Sequence, residues 1–136
     1  MKRIRIILAL FLSCCFTECR VGDPIEGENS FAIENTTNDS IQLLFTFTTN
    51  VESNRAGKTD SVIVAPQQVN KFLRIIGGVP VLTPNYVFEK IVFTSLENDT
   101  IHIMDIIDDK EWILTDSVKD YGYKVGYYHW LYKYTE

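Results

Sequence analysis

Cysteine is absent from the body of this chain: its three cysteines, Cys14, Cys15 and Cys19, all fall near the start. Whatever folds after them has no disulfide framework and no thiolate nucleophile. Histidine is almost missing too. Neither His102 nor His129 has a second His or a Cys at ligand spacing, so no metal site is expected. Alanine is scarce beyond the opening, where only Ala32, Ala56 and Ala65 occur, and no segment keeps a helical period over two turns. There is no Gly-x-Ser-x-Gly elbow, no His-Glu-x-x-His and no glycine loop of the phosphate-cradling kind. The sequence therefore gives no reason to expect an enzyme or a cofactor.

The opening residues are of a different kind. Lys2, Arg3 and Arg5 precede an unbroken apolar run from Ile6 to Leu12, closed by Ser13, Cys14 and Cys15. A basic start, a short apolar stretch and a small-residue close are the grammar of an export signal. The run is too short to span a bilayer, which takes about 20 residues. The stretch resembles a bacterial lipoprotein signal, in which the cysteine after the cut is lipidated. Two registers compete. Cys14 follows Phe11-Leu12-Ser13, with a small residue at the cut; Cys15 follows Leu12-Ser13-Cys14, with Leu in its usual place. Cys14 is narrowly preferred, and Cys19 is disfavoured by Glu18 at the cleavage point. This divides the chain into a signal (1–14), a tether (15–29) in which Gly22, Pro24 and Gly27 break any element, and a folded domain (30–136).

Processing changes the charge. The full chain has 13 basic and 18 acidic residues, net −5; without Lys2, Arg3 and Arg5 it is net −8. A domain of that sign repels phosphate backbones, so nucleic acid is not an expected partner.

The body reads as strands. Ile41, Leu43, Phe45 and Phe47 alternate with Gln42, Thr46 and Thr48, and Leu44 alone breaks the period. Further strand-like runs follow at 60–65, 68–76, 86–96, 100–107 and 111–115; turn clusters such as Asn35 to Ser40 and Glu97-Asn98-Asp99 punctuate the chain. Residues 77–85, with two glycines and two prolines, form a loop and a candidate crossing between sheets. The last run, 121–134, places aromatics on both faces. The expectation is an all-β fold, an immunoglobulin-like β-sandwich of about seven strands, with a small β-barrel as the alternative.

Three constellations could carry function. Asp39-Ser40-Ile41, Asp60-Ser61-Val62, Asp99-Thr100-Ile101 and Asp116-Ser117-Val118 share one pattern. It resembles the O-glycosylation motif of exported Bacteroidota proteins, which makes Ser40, Ser61, Thr100 and Ser117 candidate acceptors. The same residues also suit turns that lead into strands. Tyr127, Tyr128, Trp130 and Tyr132 are candidates for a ligand patch, since such rings pair large apolar area with a polar tip. Asp105, Asp108, Asp109 and Glu111 gather acids without the spacing of a calcium loop and read as a solvated turn.

Signal, tether, small β domain and triplets together resemble the small uncharacterised lipoproteins of the Bacteroidota. That resemblance implies a non-catalytic binding or structural module of the cell envelope, held to the outer membrane by its lipid. Its periplasmic or surface face is left open, and its partner is an envelope protein or a glycan. The alternative is a small envelope hydrolase with an unrecognised site. Radiolabelled palmitate should enter the wild-type protein and be lost when Cys14 and Cys15 are both changed to Ala; label retained in the double variant would move the anchor to Cys19.

Overall fold

The computed structural model describes residues 26–77, 81–120 and 124–135. The signal, Cys14, Cys15, Cys19 and residues 16–25 lie outside the described residues. Eight strands follow one another: β1 (Glu26–Asn35), β2 (Ile41–Phe47), β3 (Thr59–Val64), β4 (Gln68–Gly77), β5 (Phe88–Ser95), β6 (Ile101–Met104), β7 (Trp112–Asp120) and β8 (Lys124–Tyr134). They form two four-stranded sheets, β4-β1-β8-β7 and β3-β2-β5-β6. The fold is an all-β sandwich, as expected. The sheets have free edges at β3, β6, β4 and β7, so the barrel alternative does not apply.

The chain crosses between the sheets at β1–β2, β3–β4, β4–β5 and β6–β7. β1 pairs antiparallel with β4, while β2 and β5 pair between their hairpin partners β3 and β6. Those are the neighbour relations of an immunoglobulin-like sandwich. The C-terminal hairpin β7–β8 departs from that pattern, because β8 runs parallel to β1 along its full length.

β2 shows how the pattern becomes structure. Ile41, Leu43, Phe45 and Phe47 are buried and Gln42, Leu44 and Thr46 are half-buried, as a period of two demands when one face is covered. From β1, Phe31 and Ile33 supply the opposing layer. Phe88 lies between the sheets and meets Phe31 at 5.1 Å, Phe72 at 5.7 Å, Phe45 at 5.8 Å and Trp112 at 6.1 Å between ring centres. Phe72 is turned inward by a register shift between Phe31 and Ala32 opposite it. Phe93, Tyr132 and Tyr134 form a second stacked group.

Buried polar groups close the sandwich at one end. Asn35 is fully buried; its Nδ2 donates to the carbonyls of Asp39, Val64 and Ala65, and its Oδ1 accepts from the N–H and hydroxyl of Thr37. One amide thus ties the β1–β2 turn to the end of β3.

Several boundaries differ from the expectation. β1 starts at Glu26, so residues 26–29 belong to the sheet rather than to the tether. Tyr86 and Val87 close a helical turn, Pro84–Val87, instead of opening β5; Pro84 sits at its start, where a missing N–H costs nothing. β6 is four residues, and β7 runs on to Asp120.

Phe45→Ala should lower stability by about 3–5 kcal/mol, the range for truncating a buried Phe. Thr46→Ala, which removes only an exposed hydroxyl contact to Thr59, should be nearly silent in the same denaturant titration.

Candidate functional site

The outer side of β3-β2-β5-β6 carries several exposed aliphatic side chains with no element packed over them among the described residues. Its side chains follow from register. Ile63, Gln42, Thr94 and Ile101 form one row across the sheet; Ser61, Leu44, Val92 and Ile103 form the next. Ile63 is 58% exposed, Ile101 61% and Ile103 50%. Leu96, also exposed, extends the face where its N–H bonds to the carbonyl of Ser40. Neither row holds an ionisable side chain. The first charges appear beyond them, where Lys90 pairs with Asp105 at 3.1 Å. Leu44, the exception to the alternation of β2, belongs to this face. β6 has the same property in stronger form: Ile101 and Ile103 point outward, while His102 turns inward against Phe93 and Tyr134.

The predicted aromatic patch is not assembled. Tyr128, Trp130 and Tyr132 lie on the inner side of β8, and Tyr127 lies on the outer side. Trp130 is 6% exposed and part of the core, and Tyr132 packs against Phe93 and Trp112. Burial pushes the Tyr132 phenol up from its ordinary range. The ring of Tyr128 lies over Gly126, where a Cβ would come within 2.8 Å of it. Tyr127 alone faces outward, with the Lys119 ammonium 5.2 Å from its ring centre.

The four candidate acceptors are dispersed. Ser40 and Thr100 stand at neighbouring turns, joined because the Asp39 carboxylate accepts from Ser95 and Asn98. Asp99 holds a positive φ of 52° in the second turn. Ser61 and Ser117 lie inside β3 and β7 rather than at turns, and both are exposed. Ser61 sits at the β3 edge of this face, at the end of its row.

The acidic group at 105–111 is engaged locally. Asp105 pairs with Lys90, Asp108 accepts from the Lys110 N–H, and Asp109 accepts from the Asn85 N–H. No cluster of three or more metal-ligating side chains occurs among the described residues.

On the outer side of the other sheet, Ser30 and His129 are register partners and their Oγ and Nδ1 are hydrogen-bonded. The pair has the atoms of a nucleophile and a base. Ser30 is only 1% exposed, so a substrate carbonyl has no approach to its oxygen in this arrangement. Next to it Arg74 donates to Glu28 at 2.7 Å.

A separate cavity of about 160 Å³ opens between the β2–β3 loop, the end of β4 and the segment that follows it. Val51, Ile75, Ile76, Leu82 and Tyr86 form its apolar wall, with Asn50, Glu52 and Arg55 on its rim. Sequence reasoning had no signal for it, because its residues come from three distant segments.

The hydrogen bond from Arg74 is the main cause holding the Glu28 carboxyl below its ordinary value. A depressed carboxyl pKa contributes stability that is present above the unfolded-state value and lost as pH falls through the folded-state value. Thermal stability of the wild type should therefore fall more on acidification through that window than stability of Glu28→Gln; parallel curves would show that the pair contributes nothing measurable. Compared with protein-family models, curated proteins and solved structures, the chain gives no match.

Proposed function

We propose that this is an exported, lipid-anchored, non-catalytic module of the cell envelope that docks another envelope protein on the outer face of β3-β2-β5-β6. The observation that carries the reading is the pair of uncharged rows on that face, in a chain with 31 charged residues. Exposed apolar area of this continuity marks interaction sites. Its chemistry favours a protein over a glycan. Sugar rings stack on aromatic faces, and the rows hold no aromatic side chain, while Trp130 and Tyr132 are turned into the core. The matching partner presents a flat, uncharged, aliphatic surface, because any charge placed against these rows would be desolvated without a counter-ion.

The anchor rests on the resemblance of Met1 to Cys15 to a lipoprotein signal, with Cys14 or Cys15 as the lipidated residue. Sugars on Ser40, Ser61, Thr100 or Ser117 belong to the same reading. One on Ser61 would stand at the β3 edge of the docking rows, beside Leu44, and would compete with a partner that reaches that edge. A small envelope hydrolase is the competing function, favoured only by the Ser30–His129 contact.

A photo-crosslinking residue at position 103, in cells of the native host, should give one discrete protein adduct. The same residue at position 127 on the opposite sheet should not. The adduct should vanish when Ile101→Lys is added. Equal adducts from both positions, or none from position 103, would overturn the docking face. Loss of a cell-envelope hydrolytic activity in Ser30→Ala would favour the enzyme instead.

A further inference from the structure

We infer that the cavity beside the β2–β3 loop is a binding site for a small carboxylate bearing one aromatic or branched aliphatic group. The site is independent of the docking face, since none of its lining residues lies in the two apolar rows.

Size sets the apolar part of the ligand. A void of about 150 Å³ lined by aliphatic and aromatic side chains stays dry and accepts a benzene-sized molecule. Here the volume is about 160 Å³, and the wall is Val51, Ile75, Ile76, Leu82 and Tyr86. The cavity is open rather than sealed, and exposed Ile76 and Tyr86 at its mouth extend the apolar path outward. The wall is held in place locally. The Tyr86 hydroxyl donates to the Asn50 carbonyl, the Thr48 hydroxyl donates to the Tyr86 carbonyl, and the Leu82 N–H donates to buried Asn29.

Charge sets the other part. Arg55 lines this cavity and also the groove next to it, which Lys58, Thr59 and Asp60 share. Its guanidinium lies 6.0 Å from the centre of the Phe47 ring, and no carboxylate of the described residues is within ion-pairing distance of it. Arg55 is half-buried, whereas Glu52 on the same rim and Asp60 in the groove are exposed. Exposed charges are the better screened by solvent and salt, so Arg55, unpaired among the described residues, is the least screened of these three charges. A planar guanidinium with free donors, at the edge of a ring-sized apolar void, matches a carboxylate one or two atoms from a hydrophobic group.

Three probes of one shape separate the contributions: phenylacetate, phenethylamine and toluene. Titrated into the purified protein and followed by NMR, phenylacetate should shift the signals of Val51, Ile75 and Leu82 and bind most tightly. Arg55→Gln should weaken phenylacetate about tenfold, the scale of one charge-assisted hydrogen bond, and leave toluene unchanged. Lys119→Gln, on β7 at the opposite edge of the sheet from β4, should change neither. Phenethylamine binding as tightly as phenylacetate, an unchanged phenylacetate affinity in Arg55→Gln, or no shifts at the three wall residues would each overturn the assignment. None of these readouts depends on the docking partner.

Discussion

The sandwich is organised around one ring. Phe88 reaches from β5 across the space between the sheets and touches aromatic side chains of both: Phe45 and Phe47 on its own sheet, Phe31, Phe72 and Trp112 on the other. Two packed sheets lie about 10 Å apart, so one phenyl ring can meet both layers. Its placement is fixed from both chain directions. Its N–H closes the helical turn by bonding to the Pro84 carbonyl, and the shift in β2–β5 pairing between Thr46 and Phe47 sets it opposite Phe47. With the centre filled this way, the remaining aromatics of β8 have only the inner flank to occupy, where Phe93, Tyr132 and Tyr134 stack.

That packing has a direct bearing on recognition. Rings that could have formed an exposed platform are used as core, and the outward surfaces are left to smaller side chains. The two sheets then differ in kind. One outer face is tied by polar contacts among Glu28, Arg74, Ser30, His129, Glu34 and Lys133. The other is uncharged over two rows, with five aliphatic side chains among Gln42, Thr94 and Ser61. A module with one self-satisfied face and one unsatisfied face presents a single preferred side to its surroundings.

The sequence was most legible where one face is buried and the other wet. β2 falls on its expected residues because alternation and burial coincide there. The part of β7 beyond Thr115 was hidden because exposed residues on an edge strand keep no alternation, and Asp116, Ser117 and Lys119 read as loop. Tyr86 and Val87 look like strand by composition, but Pro84 favours the helical turn that contains them. The candidate face was written in the exceptions. Leu44 broke the period of β2, and Ile101-His102-Ile103 puts the polar residue inward; both become informative only when register sets them side by side. The cavity was not legible at all, since nothing local to residues 50–55, 75–77 or 82–86 announces that they meet.

The parallel contact between β1 and β8 carries a consequence for how the molecule comes into being. Ser30 and His129, bonded across that pair, are 99 positions apart in the chain. Closing so long a segment is slow, and strand partners of this separation form late. β1 sits inside its sheet, yet one of its two edges stays unpaired until β8, the eighth described strand, is available. Until β8 arrives, that sheet is incomplete. Meanwhile the open β1 edge is available to any protease or chaperone that meets the chain.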